Sequence, residues 1–90
     1  MYQWDEQKAA INFAKHGVRF EEAQAVFNDP FALEWTDERE DYGEERFIII
    51  GMAEGRLFCV VYTLRNDNIR IISARGAEPH ERRRYHGENA

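Results

Sequence analysis

The chain has 90 residues, 43% of them hydrophobic and 13% aromatic, and a formal net charge of −5. That apolar content excludes a disordered acidic tail, and the length gives one domain, residues 1–90, around one small core. On totals alone an acidic protein is a poor partner for phosphate, because that affinity comes from Lys and Arg.

Met1–Trp4 is predicted as a short opening strand. Asp5 is an N-cap for a helix over Glu6–His16, with Ala10, Ile11, Phe13 and Ala14 supplying an apolar side. Gly17 stands where a left-handed C-cap is wanted, and Lys15 and His16 put positive charge in the last turn. A second short helix is expected over Phe20–Phe27, ending before Asn28-Asp29-Pro30. Phe31, Leu33 and Trp35 alternate with Ala32, Glu34 and Thr36, the pattern of a half-buried strand. Residues 37–45 form an acidic loop. Phe47–Ala53 and Arg56–Leu64 are rich in Ile and Val and flank Glu54-Gly55, a two-residue hairpin turn. Asn66-Asp67 makes a second turn before a strand over Ile69–Ala74. Pro79 suits the first turn of a C-terminal helix containing Glu81–Tyr85. The order is β-α-α-β-β-β-β-α. Helices followed by a meander imply an α+β fold, an antiparallel β-sheet with its helices packed on one face.

No apolar run approaches the ~20 residues of a membrane span, and MYQWDEQK has no apolar signal core. The single cysteine, Cys59, excludes an intramolecular disulfide and suits a reducing compartment. A soluble, cytoplasmic chain with no membrane partner is expected. Dinucleotide, nucleoside-triphosphate, zinc-protease and serine-hydrolase motifs are all absent. His80 and His86 are six residues apart and do not share a helix face, so neither a metal nor another cofactor is expected.

The net charge hides a split between the halves. Residues 1–45 carry 12 acids and 4 bases, whereas residues 46–90 carry 8 bases, every one an arginine, and 5 acids. A planar guanidinium clamps phosphate bidentately, so an arginine-only half points to an anionic partner. Period-2 alternation in Ile69–Arg75 sets Arg70 with Ile72, and Ile69, Ile71, Ser73 and Arg75 on the opposite face. Arg46 and Arg56 each open a strand, and with Arg75 they are expected to line one edge of the sheet. There, guanidiniums hold a phosphodiester and stabilise charge that develops during its transfer. The alternative for each is an ion pair with a loop acid such as Glu44 or Glu45. Arg82–Arg84 and Tyr85 combine cationic and aromatic groups suited to phosphate and bases, or form a solvated helix with Tyr85 on the sheet.

A resemblance extends these readings. Trp4-Asp5, Lys8, Asn12, Lys15-His16-Gly17-Val18, Phe20-Glu21-Glu22-Ala23, Phe27 and Asp29-Pro30 form one block. Glu44-Glu45-Arg46-Phe47, Gly51, Thr63 and Arg70-Ile71-Ile72-Ser73-Ala74-Arg75 form a second, which Arg82 and Tyr85 close. In that order and spacing, the chain resembles the BrnT family of bacterial type II toxins over nearly its whole length. Arg19 departs from the pattern, standing where a small capping hydroxyl is common before the second helix.

The resemblance implies a RelE-like fold and a metal-independent ribonuclease that cuts messenger RNA and slows translation. It also implies a BrnA-like antitoxin with a ribbon-helix-helix part, through which the complex binds operator DNA. By likeness to RelE toxins, Arg75 and Tyr85 are the expected catalytic positions, with Arg46 and Arg56 as supporting phosphate ligands. In the chemistry so implied, Arg46 and Arg75 stabilise charge, and His16, whose reference pKa of ~6.5 is closest to neutrality, is the candidate acid or base. Lys15, Arg56, Arg70 and Arg82 are the expected RNA contacts. Tyr85 moves a proton on this reading only where neighbouring arginines lower its pKa from ~10. Two competing readings are a catalytically inactive relative that binds antitoxin and operator, and a small peptide- or ligand-binding domain.

Overall fold

The computed structural model describes all 90 residues, Met1–Ala90. Strand β1 (Tyr2–Gln3) leads into helix α1 (Glu6–His16) and a short α2 (Phe20–Ala23), which tightens into a 3-10 helix over Gln24–Asn28. Strands β2 (Leu33–Thr36), β3 (Phe47–Ala53), β4 (Arg56–Arg65) and β5 (Asn68–Gly76) follow, and α3 (Pro79–Glu88) ends the fold. The five strands form one sheet in the order β1-β5-β4-β3-β2. The α+β class and the succession of elements stand as expected.

Local chemistry explains where α1 begins and ends. Asp5 accepts hydrogen bonds from the Gln7 and Lys8 N–H groups, and Gly17 takes the left-handed conformation (φ 68°). Arg19 offers α2 no capping oxygen, and the missing bond is replaced from the other direction. Its backbone N–H donates to Glu22 Oε1 at 2.8 Å. Glu54 (φ 50°) and Gly55 (φ 80°) make the tight hairpin turn between β3 and β4.

Two expectations about the sheet need correction. It is mixed, because β1 runs parallel to β5, pairing Tyr2 with Ile69 and Gln3 with Arg70. A two-residue strand carries no hydrophobic pattern to fix its direction, and only the sheet edge beside β5 decides it. The helices also lie on both faces. Val18, Phe20, Ala23 and Val26 pack with Ile49, Phe58, Val60, Tyr62, Ile71 and Ala74 on one side. On the other, Tyr85 of α3 packs with Ile48, Ile50, Leu57 and Cys59. Ile48-Ile49-Ile50 and Leu57-Phe58-Cys59-Val60 are continuous apolar runs, so β3 and β4 need cover on both sides. The α3 helix supplies the second cover.

The outer edge of β5 is the other consequence of a short β1. Beyond Arg70 no strand pairs with it. Asn12 of α1 closes part of that edge: its Oδ1 accepts from the Ala74 N–H at 3.0 Å, and its Nδ2 donates to the Ala74 carbonyl at 2.8 Å. No helix is long and apolar enough to cross a membrane.

Candidate active site

An irregularity in β5 decides which side chains meet. Ile71 pairs with Tyr62 but Ser73 pairs with Val61, so Ile72 is an extra residue, a bulge. Strict alternation, which kept Ile71 and Arg75 on one face, therefore fails. Ile71 and Ala74 belong to the core under α1 and α2, whereas Ser73 and Arg75 open towards α3. The bulge turns Arg75 away from the main core.

On the α3 side, the register stacks residues in rows. Leu33, Ile50, Cys59 and Arg75 form one row, and Trp35, Ile48, Val61 and Ser73 the next. Arg75 is about a third exposed there. Its Nη1 and Nη2 donate to the two carboxylate oxygens of Glu81 at 2.8 and 2.9 Å. Glu81 also accepts the Glu78 N–H at 2.8 Å, so the first turn of α3 holds the guanidinium. That hydrogen-bonded pairing raises the Arg75 pKa and lowers that of Glu81 despite burial of the carboxylate.

A cleft of about 110 Å³ opens beside Arg75, lined by Trp35, Ile48, Val61, Ser73, Glu81 and Arg39 among others. Arg39 comes from the acidic loop. Its Nε and Nη2 donate to the buried Asp37 at 2.8 and 2.7 Å, and Tyr42 donates to the same carboxylate. Those bonds hold the Asp37 carboxyl down at about 2. Arg46 lies over the Tyr42 ring at 4.1 Å and pairs with Glu44 at 3.3 Å. Arg84 of α3 stacks over Trp35 at 4.5 Å.

A second hollow, about 210 Å³, adjoins the β5 edge on the α1 side. Lys8, Asn12, Lys15 and His16 line it with Ile72 and Ser73. Ser73 thus borders both spaces. His16 has its pKa lowered by burial and then by the positive charges of Lys15 and Arg75. At the bulged edge Ser73 stands between the hollow of Lys15 and His16 and the cleft of Arg75.

Other expected residues lie elsewhere. Arg46, Arg56 and Arg75 do not line one edge. Arg46 precedes β3 near the Phe47–Tyr62 pair, and Arg56 pairs with Ala53 at the other end of the hairpin. The separation is roughly 20 Å at ~3.3 Å per residue. Arg56 instead sits 4.8 Å over the Phe58 ring and 3.7 Å from Glu22. Arg70 pairs with Thr63 beside β1, and Arg82 is exposed on α3.

Tyr85 needs a correction of its own. The residue is buried, and its hydroxyl donates to Asp29 Oδ2 at 2.7 Å. Burial, then the Asp29 carboxylate, push its pKa up to about 12, opposite to the lowering that proton transfer required. Among metal-capable side chains, Glu78, His80 and Glu81 come together, but both Glu81 oxygens already face Arg75. His86 stands outside that group.

A family model described as the ribonuclease toxin, BrnT, of type II toxin–antitoxin systems matches residues 4–81. The chain belongs to the BrnT family. No curated protein matches it. Membership makes the chain a ribonuclease toxin of a type II system, with RNA as its target and an antitoxin as its partner. The BrnT match takes in Lys15, His16, Arg46, Arg75 and Glu81, and stops short of Arg82 and Tyr85.

Sequence reasoning missed Arg39, Trp35, Ser73 and Glu81 as residues that line the cleft of this BrnT chain beside Arg75. For Arg39 and Glu81 the only clue was an acid two or six residues away from an arginine, which also describes an ordinary surface pair. Trp35 gave a clearer one. It sits on the strand position whose neighbours Leu33 and Ile48 face α3.

Proposed function

We propose that this toxin cleaves messenger RNA without a metal, at the bulged β5 edge, by attack of a 2′-hydroxyl on the adjacent phosphorus. The observation that carries the reading is Ser73 on the bulged edge, which borders both the hollow lined by Lys15 and His16 and the cleft lined by Arg75. His16, neutral at pH 7, takes the proton of the attacking 2′-hydroxyl at a ring nitrogen. The O2′–P bond forms and the P–O5′ bond breaks, leaving a 2′,3′-cyclic phosphate. The 5′-oxygen takes up a proton from water as it leaves, and His16 returns its own to solvent. Arg75 and Lys15 offset the charge on the phosphorane oxygens.

Arg46 and Arg70 serve the RNA backbone on the same side of the sheet, away from the reacting phosphate. Tyr85 anchors α3 and moves no proton. Arg56, paired with Glu22 at the far end of the hairpin, takes no part. The partner is a BrnA-like ribbon-helix-helix antitoxin, through which the complex reaches operator DNA; the support for both is the family.

The test is a defined messenger RNA incubated with purified protein in excess EDTA. Wild type cleaves, and Arg75→Ala and His16→Ala lose at least ~100-fold, the scale of a removed charge stabiliser or base. Undiminished cleavage by Arg75→Ala overturns the site, and loss of wild-type cleavage in EDTA overturns metal independence. Absence of both RNA cleavage and growth arrest, on expression without the antitoxin, would favour the inactive, antitoxin-binding reading.

A further inference from the structure

The geometry points to the cleft between Trp35 and Arg75 as a pocket for one nucleobase of the RNA, next to the phosphate held at Arg75. This rests on the ribonuclease reading and adds to it the part of the substrate that carries sequence.

The occupant follows from the lining. Ile48 and Val61 give the cleft an apolar floor, and Trp35 gives it an aromatic wall. The rim is polar. Arg39 turns Nε and one Nη2 N–H to Asp37, leaving Nη1 as a donor. Arg75 turns Nη1 to Glu81 and the Gly76 carbonyl and one Nη2 N–H to Glu81, leaving Nε and the second Nη2 N–H. A ligand that suits this space has apolar faces, hydrogen-bonding edges and a linked anion. A base on a phosphodiester has all three.

Size and charge agree. The cleft holds about 110 Å³, room for one planar ring system and too little for a folded peptide segment. Arg39 and Arg75 line it, each balanced by a carboxylate, Asp37 and Glu81, and Arg84 over Trp35 adds a cation in no salt bridge, in a protein whose total charge is −5. The Arg84 guanidinium already lies over the indole at 4.5 Å, so a face of the Trp35 ring is open to a partner. A base enters beside Arg84 or replaces it. Trp35 of β2 and Arg75 of β5 line the same cleft from opposite sides, so a base seated on the indole directs its own phosphate towards Arg75.

Tryptophan emission gives the test. Trp4, which packs on Phe20 away from the cleft, is replaced (Trp4→Phe) so that Trp35 alone reports. The protein is titrated with 2′-O-methyl tetranucleotides, which cannot be cleaved, and separately with abasic ribose-phosphate oligomers. Saturable quenching by the base-bearing oligomers only, with roughly 5- to 150-fold weaker binding in Trp35→Leu, is the expected result. Trp35→Phe should recover most of that loss, which separates a stacking role from a folding one. Equal quenching by abasic oligomers, or binding with no change in emission, overturns the pocket. Base-dependent quenching by a protein that never cleaves RNA would keep the pocket and remove the nuclease reading. Normal cleavage with unchanged binding in Trp35→Leu would do the reverse.

Discussion

The Asn12 side chain grips the backbone of Ala74 by both its N–H and its carbonyl, across 62 residues of sequence. Its Nδ2 also donates to the Val18 carbonyl at 3.0 Å. One buried amide therefore does for the free edge of β5 what a further strand would do, and fixes α1 beside the bulge that presents Ser73 and Arg75. Asn12→Ala strands three buried backbone groups, each costing about 1–3 kcal/mol when unpaired, less what water regains. A loss of about 2–4 kcal/mol in urea unfolding is expected, with cleavage falling further than stability accounts for. An unchanged unfolding midpoint would remove the amide from its bridging role.

Gly51 makes a different demand on the core. A Cβ there would meet the Val26 Cβ at 3.0 Å and the Val26 carbonyl oxygen at 3.1 Å. The 3-10 helix lies too close to β3 for any side chain at this position. Gly51→Ala should cost about 1–3 kcal/mol through overpacking, read as a lowered melting temperature. Val26→Ala should give no rescue, because alanine keeps both the Cβ and the carbonyl oxygen that the new methyl group meets.

These two residues mark what the sequence made legible. The ends of α1 were readable because Asp5 and Gly17 act on their own helix. The bulge at Ile72 was not, because no glycine announces it. It is visible only in the pairing of Ile71 with Tyr62 and Ser73 with Val61. Alternation is a local rule, and one extra residue inverted it for Arg75. The second helical cover was legible in principle, from apolar runs that left β3 and β4 no polar face. Charge counting found the arginine-rich half but not the pairing within it: Glu81 holds Arg75 and Asp37 holds Arg39.

Asp37 links that pairing to pH. Its side chain is fully buried, and the Arg39 hydrogen bonds, with lesser help from Tyr42, hold its pKa at about 2 against an ordinary 3.8. The unfolded chain therefore binds a proton there more readily than the folded one. The stabilisation is complete above pH ~4 and disappears as pH falls through about 2. Because Arg39 is 62% exposed, solvent screening limits it to about 1–2 kcal/mol. Unfolding titrations between pH 2 and 5 should show that decline in wild type and a flatter profile in Asp37→Asn. Parallel profiles would place the acid sensitivity elsewhere.

Tyr85→Phe separates anchoring from catalysis. It removes one hydrogen bond to Asp29, whose carboxylate also accepts the Met52 and Phe31 N–H groups. About 1–2 kcal/mol of stability should go, since the acceptor is charged. Cleavage at a temperature where both proteins are folded should stay within about threefold, far above the loss in Arg75→Ala. A hundredfold loss in a folded Tyr85→Phe protein would restore the tyrosine to the chemistry.

The pH–rate profile bears on His16 directly. Burial comes first, then the charges of Lys15 and Arg75, and all three disfavour the protonated ring, so its pKa lies below 6.5. If His16 takes the proton of the 2′-hydroxyl, kcat/KM rises with pH through that lowered value and is flat at neutrality. Lys15→Ala removes one of the charges, so the rising limb should move towards 6.5 while the plateau falls from the loss of a phosphate contact. That displacement is the informative part, because a purely structural histidine gives no limb for its neighbour to shift. A profile in which Lys15→Ala lowers the rate equally at every pH would assign the proton to another group and leave His16 a binding residue at the β5 edge.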